Sequence, residues 1–240
     1  MRLTLVRHAT LLLEVGGKRV LVDPMLGDAG AYSPIENTPN PVRNPLVPLA
    51  AVSLDALDAV LVTHVHNDHW DPAAAERLPK DVPVLVQPAS AGRIRGDGFA
   101  DVRPVEDELE WEGISLARTG GRHGHGAVAD ALGPVSGFVL RAAGEPVLWI
   151  AGDTVWCAEA ENAIERHRPD VAVVNAGAAR FLDSDPITMD GADVARVAEQ
   201  VPRVVAVHME AINHCLETRA ELRAAVLSVL TPADGETLEL

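Results

Sequence analysis

The stretch Ala59-Val-Leu-Val62, followed by Thr63-His-Val-His-Asn-Asp-His-Trp-Asp71, decides how this chain is read. Its first four residues are an apolar run of strand length. The donor side chains His64, His66, Asp68 and His69 then fall within six positions. A strand end that stops in three imidazoles and a carboxylate is a poor core and a poor loop, but a good set of metal donors. Alternate residues of extended backbone point the same way, so His64, His66 and Asp68 can converge while His69 points elsewhere. That split suits two adjacent ions better than one. The plainer reading, a polar loop after a strand, leaves the concentration of donors unexplained.

Other donors close later apolar runs. Residues 114–117 are followed by Arg122-His-Gly-His-Gly126, residues 147–150 by Ala-Gly-Asp153-Thr154, and residues 204–207 by His208. A single histidine at a strand end reads as an ordinary hydrogen-bonded residue. Repetition changes that reading, because the ends of neighbouring strands can gather on one edge of a sandwich.

Length and composition set the frame. The chain has 240 residues, 48% hydrophobic and 23% charged, which suits a globular protein with a sizeable core. Aromatics are only 3%, so that core is built mainly from Val, Leu and Ala. The formal charge is −15, from 35 acids and 20 bases, and two divalent ions would leave −15 + 4 = −11. An acidic balance of this size argues against a nucleic-acid partner. Cys157 and Cys215 form no C-x-x-C pair and read as reduced thiols. The first eight residues lack a signal-peptide core, and no apolar run approaches the roughly 20 residues that span a bilayer. A cytoplasmic protein without a membrane partner is expected.

Strands are expected at residues 3–6, 11–14 and 20–22, the last two joined by a Gly16-Gly17 turn. Further strands are expected at 59–62, 84–86, 114–117, 137–140, 147–150, 171–174 and 204–207, and helices at 72–78, 157–167, 193–200 and 217–230. The last helix would bury Leu222, Val226 and Val229 on one face. Residues 28–49 contain Pro34, Pro39, Pro41, Pro45 and Pro48 and cannot be regular for long. They are either a surface excursion or a loop that shapes access to the site. There is no linker and no repeat, so residues 1–240 form a single domain of two sheets covered by helices.

The motifs together resemble those of the metallo-β-lactamase-fold hydrolases. The likeness spans nearly the whole chain, through Arg7-His8-Ala-Thr10, Leu21-Val-Asp23-Pro24, the His64–His69 cluster, Gly152-Asp153-Thr154 and Val207-His208. It is greatest to the small single-domain branch that includes ascorbate-6-phosphate lactonase. The resemblance implies an α/β fold, a four-layer αββα sandwich, and a metal-dependent hydrolase. It implies that His64, His66 and His123 hold one divalent ion, that Asp68, His69 and His208 hold a second, and that Asp153 bridges them. His123 is preferred over His125 because it falls where the family motif places a ligand, soon after a strand. Asp23 is expected to orient a ligand imidazole. Members of the branch often form homo-oligomers.

Imidazole and carboxylate donors suit zinc first and manganese second. Two such ions can activate water without a serine or cysteine nucleophile. The expected substrate is a small, anionic ester, lactone or phosphodiester. The alternatives are a nuclease of the same fold and a non-catalytic, metal-stabilised binding protein. Asp68, His8 and His214 are the catalytic candidates: Asp68 to orient or deprotonate water, His8 and His214 to donate to the oxyanion or leaving group. The plainer reading of each is a surface or packed histidine. Arg122 and Arg180 either bind an anionic substrate or are surface charge, and His167 reads as a cationic partner of a helix C-terminus.

Overall fold

A computed structural model describes all residues, 1–240. Two seven-stranded sheets face each other. The first contains β1 (Arg2–Arg7), β2 (Thr10–Val15), β3 (Lys18–Val22), β4 (Ala59–Val62), β5 (Val84–Val86), β6 (Val102–Pro104) and, at its edge, β14 (Thr237–Glu239). The second contains β7 (Glu108–Trp111), β8 (Ile114–Thr119), β9 (Gly137–Ala142), β10 (Leu148–Ile150), β11 (Val171–Asn175), β12 (Arg203–Val207) and β13 (Val229–Leu230). Their orders are β14-β1-β2-β3-β4-β5-β6 and β13-β12-β11-β10-β9-β8-β7.

The layers follow from strand periodicity. In β4, Leu61 enters the core between the sheets, where it joins Leu3, Leu5, Leu13, Phe138, Ile150 and Val173. Its neighbours Val60 and Val62 point the other way, against Ala74, Leu78 and Ile94 of the helical layer. On the second sheet, Trp149, Ala172 and Val174 turn outward onto Ala163, Ile164, Val194 and Leu222. A sheet buried on both faces needs continuous apolar runs, which is why β4, β5 and β11 are buried throughout. The result is the expected αββα sandwich.

Six helices cover the sheets: α1 (Pro72–Arg77), α2 (Ala91–Gly96), α3 (Gly126–Leu132), α4 (Ala158–His167), α5 (Gly191–Ala198) and α6 (Arg219–Ala225). The β2–β3 turn has Gly16 and Gly17 at φ 58° and 73°, the left-handed pair that a tight hairpin requires. Residues 28–49 contain no helix or strand beyond one bridge, Tyr32 to Asn44.

The expected helix over 217–230 is shorter. A capping box between Thr218 and Glu221 starts α6, which stops at Ala225, and Val226 is extended at φ −130°, ψ 94°. Val229 then pairs in parallel with Val204 on β12. Leu222, Val226 and Val229 do reach one apolar cluster, but by two kinds of backbone. Their spacing records burial in one layer, which both a helix and a strand can supply. His167 ends α4 as expected, beside Arg166 in the last turn, and burial with the neighbouring Arg141 and Arg166 lowers its pKa.

Candidate metal centre

The site lies where parallel strands of both sheets end. Strands β10, β11 and β12 run parallel, in register Ile150–Val173 and Asn175–Val207. Their C-terminal ends therefore bring Asp153, Asn175 and His208 to one edge. In the other sheet β3 and β4 are parallel, with Val22 opposite Leu61, so Asp23 and the Thr63–His69 run emerge together. The backbone is strained here. His8, Asp23 and His208 adopt φ of 59°, 42° and 67°, a region that non-glycine residues occupy at a cost and that clusters at functional sites. Gly152 sits at φ 68°, and a Cβ there would meet the Ser136 carbonyl oxygen at 2.6 Å.

Past β4 the chain does not stay extended. The His66 carbonyl accepts from the amides of His69 and Trp70, which folds the cluster into a turn. The turn divides the donors. His64, His66 and His123 form one group, and Asp68, His69 and His208 form another, which His8 joins. His64 Nε2 and His66 Nδ1 are 3.0 Å apart, and His69 Nε2 and His208 Nε2 are 3.3 Å apart. Asp153 lies between the groups: Oδ2 is 3.4 Å from His123 Nε2, 3.8 Å from His64 Nε2 and 3.3 Å from His69 Nε2, and Oδ1 is 3.4 Å from His208 Nε2. Asp68 Oδ2 lies 3.5 Å from His208 Nε2 and keeps 13% of its side chain exposed.

The outer nitrogens face fixed partners. His69 Nδ1 meets Asp23 Oδ2 at 2.8 Å, His123 Nδ1 meets the Ile187 carbonyl at 2.8 Å, and His66 Nε2 meets the Leu132 carbonyl at 3.0 Å. His64 Nδ1 lies 3.1 Å from Thr63 Oγ1, whose own proton goes to Asp23. An imidazole that donates outward keeps an inward lone pair, and several lone pairs turned on one another ask for a cation between them. This donor set fits divalent metal.

The electrostatics show how strongly the cluster draws positive charge: burial opposes it, yet Asp153, Asp23 and Asp68 raise the pKa of His69 well above the ordinary imidazole range, and Asp153, Cys215 and Asp68 raise that of His208 to about 10. Burial opposes the anion of Asp153, yet His208, His69 and His123 hold its pKa well below the ordinary range. Burial likewise opposes Asp68, which His69, His208 and His8 hold low. Burial and the nearby His208 push His8 down to about 3, so this imidazole is neutral.

The structure separates the remaining candidates. His125 is exposed at the N-cap of α3 and joins no donor group. His8 has no exposed surface; its Nε2 lies 3.2 Å from Asp68 Oδ2 and its ring lies against His208. It lies behind Asp68 and has no surface on the cavity over the site. His214 is 5% exposed, beside Cys215, and does not line the cavity over the site. Arg122 and Arg180 are exposed and also lie outside that cavity, as surface charge does.

Two contributors carried no local signal. Asn175 donates from Nδ2 to Asp153 Oδ1 at 2.6 Å, from the last position of an apolar run. Cys215, a free thiol, lies 3.6 Å from His208 Nδ1, and His208 and His214 together outweigh burial to bring its pKa to about 7.

A family model described as "Beta-lactamase superfamily domain" matches residues 2–210. The chain belongs to this superfamily. It is 37% identical to UPF0173 protein YddR of Bacillus subtilis (strain 168), over 99% of each chain. The structure of an isothiocyanate hydrolase from Delia radicum gut bacteria is similar at 39% identity and TM-score 0.94, covering 100% of this chain and 99% of that one. A possible metal-dependent hydrolase from Veillonella parvula DSM 2008 is similar at 36% identity and TM-score 0.95, with the same coverage. The expected fold and enzyme class are thus met: this superfamily member is a metal-dependent hydrolase of the metallo-β-lactamase fold. The finer likeness to a phosphorylated-sugar lactonase rests on the motifs alone. No helix is long and apolar enough to cross a membrane.

Proposed function

We propose that this enzyme hydrolyses small, neutral electrophiles bearing an apolar group, and that isothiocyanates are the best-fitting class. The observation that carries the reading is a cavity of about 360 Å³ opening onto His66 and Asp68. Its walls are Met25, Ile35, Val65, Leu132, Phe181 and Ile212, with Tyr32, Ser33, Asn44 and Asn67 as polar points. No lysine or arginine lines it. Arg7, within the first motif, is buried and donates to the Val47, Met25 and Gly27 carbonyls. An anionic ester or phosphodiester would enter without a counter-charge from these walls, whereas an apolar group finds matching surface. The 39%-identical isothiocyanate hydrolase supports the same class.

In this reading His64, His66 and His123 hold one divalent ion, Asp68, His69 and His208 hold the second, and Asp153 serves both. Zinc is the expected metal and manganese the next, since no thiolate stands in either group. When bound, the ions supply Lewis acidity that brings the pKa of water towards neutrality.

The residues do the rest. The apolar walls take the organic group and leave the central carbon of N=C=S at the floor, beside His66 and Asp68. There a C–O bond forms with water, the C–N bond breaks, and both water protons end on nitrogen, so that R–N=C=S and water become R–NH2 and carbonyl sulfide. Asp68 faces both cavity and cluster and carries a proton from water towards the leaving nitrogen. His8 fixes the Asp68 carboxylate.

The test is a panel of alkyl and aryl isothiocyanates, lactones and phosphodiesters, given to the metal-loaded protein, with amine and carbonyl sulfide measured as products. Isothiocyanate turnover is expected to dominate. Turnover confined to the anionic substrates would overturn the proposal.

A further inference from the structure

One wall of the cavity is made from the irregular segment 28–49, through Tyr32, Ser33, Ile35 and Asn44. A proline-rich segment with no ladder of its own needs something else to give it one conformation. One side chain contributes more of these contacts than any other. Asn213, 1% exposed, stands five residues beyond His208. Its Oδ1 accepts from the Ile35 amide at 3.0 Å and from Asn44 Nδ2 at 2.7 Å. Its Nδ2 lies within hydrogen-bond distance of three acceptors, the Ile35 carbonyl at 3.0 Å, Thr38 Oγ1 at 2.7 Å and the Asn40 carbonyl at 2.7 Å, which share its two protons. Its backbone amide donates to Asn44 Oδ1 at 2.9 Å.

The orientation of the amide is not arbitrary. The Ile35 amide can only donate, and the Ile35 and Asn40 carbonyls can only accept, so Oδ1 and Nδ2 have one arrangement that satisfies all three. Asn213 in effect supplies Ile35 with both halves of a strand-like pairing. Asn44 extends the clamp, because its backbone exchanges both hydrogen bonds with Tyr32, at 2.7 and 3.0 Å. Ala211, two residues back, accepts from the Leu46 amide at 2.7 Å. The segment that carries His208 to the metal centre thus goes on to bolt down the opposite wall.

We infer that Asn213 is a positioning residue for substrate: it locks the 28–49 segment against the segment after His208 and so fixes the shape of the apolar cavity. The inference rests on that cavity being the substrate site. Asn213 touches no metal donor through its side chain, so its loss should leave the centre intact while the wall loosens.

The experiment compares metal-loaded wild type, Asn213→Ala and the milder Thr38→Val, which removes one partner of Asn213 together with the Thr38 hydroxyl's own bonds to the Ile35 and Asn40 carbonyls. Three readouts are taken: metal content, hydrogen exchange of peptides covering residues 31–46, and KM and kcat for a small isothiocyanate (allyl) and a bulky one (benzyl). For Asn213→Ala, unchanged metal content and faster exchange confined to 31–46 are expected. KM for the benzyl compound should rise about tenfold, as when a buried amide loses its partners, with kcat for the allyl compound changed far less. Thr38→Val should shift the same quantities less, and it stands in if Asn213→Ala fails to fold. Unchanged exchange and KM would overturn the inference, as would exchange that rises everywhere together with loss of metal. If wild type turned over no isothiocyanate, the substrate class would fall. The exchange of 31–46 alone would then decide the clamp: local loss of protection supports it, and none overturns it.

Discussion

Asp23 accepts the Nδ1–H of His69 at 2.8 Å through Oδ2. The same carboxylate accepts the Thr63 amide and hydroxyl, both at 2.7 Å, and the hydroxyl in turn receives His64 Nδ1. One anion at the end of β3 therefore aims an imidazole from each donor group.

Asp23→Asn places an NH2 where these donors converge, so at least one contact becomes donor against donor. Partners of this kind typically cost about 10–100-fold in metal affinity or activity when replaced. Competition with a chromophoric chelator should show weaker metal binding by that order. An unchanged affinity would mean that packing alone orients His69 and His64.

Asp153→Ala tests the shared carboxylate. A ligand that binds only the folded state stabilises it by about 2.7 kcal/mol at a free concentration one hundred times its Kd. Added zinc or manganese should therefore raise the melting temperature of wild type clearly and that of Asp153→Ala much less. Equal rises in both proteins would remove Asp153 from the centre.

His123→Ala and His125→Ala separate the neighbouring histidines. His123 is buried in the donor group with His64 and His66, whereas His125 is exposed at a helix cap. Elemental analysis should find about one fewer ion per chain in His123→Ala and wild-type content in His125→Ala. The reverse result would reassign the ligand.

Tyr32 is the one tyrosine of the chain, so its ionisation can be followed alone by ultraviolet absorbance. Burial, and then Asp71, which accepts its hydroxyl at 3.0 Å, raise its pKa from 10.0 to about 12. A raised folded pKa favours the neutral phenol in the native state. Its contribution to stability is thus fully present below pH 10.0 and is lost as pH rises through about 12. Asp71→Asn should bring the midpoint back towards 10.0 while still capping α1, since Asn caps as well as Asp. A wild-type midpoint at the ordinary value would show that the phenol is not held against Asp71.

Much of this enzyme is legible in its sequence. Alternation and continuous apolar runs mark strands because burial on one face or both is a local property, and Ala59–Val62 and Val84–Val86 emerged with the boundaries expected of them. The donors His64, His66, Asp68, His69, Asp153 and His208 were visible because their chemistry lies in residue type and in their position at strand ends. The family motifs added the order in which the strands would meet.

Other features needed the fold. His8 lies in a motif, but only packing against Asp68 and His208 puts it behind the site instead of in the pocket. His123 and His125 differ by two residues, and the turn between β8 and α3 buries one and exposes the other. The spacing of Leu222, Val226 and Val229 could not reveal where helix gives way to strand, because both backbones deliver those side chains to one layer. Asn175 and Asn213 have no motif at all; each becomes a partner only when sheet register or a loop contact brings a distant group to it. The same holds for the apolar cavity, whose walls come from segments as far apart as Met25 and Ile212. Sequence determines chemistry and periodicity because both are carried by single residues and near neighbours. Convergence is a property of register and packing across the whole sandwich, so which groups face a substrate was decided by tertiary structure.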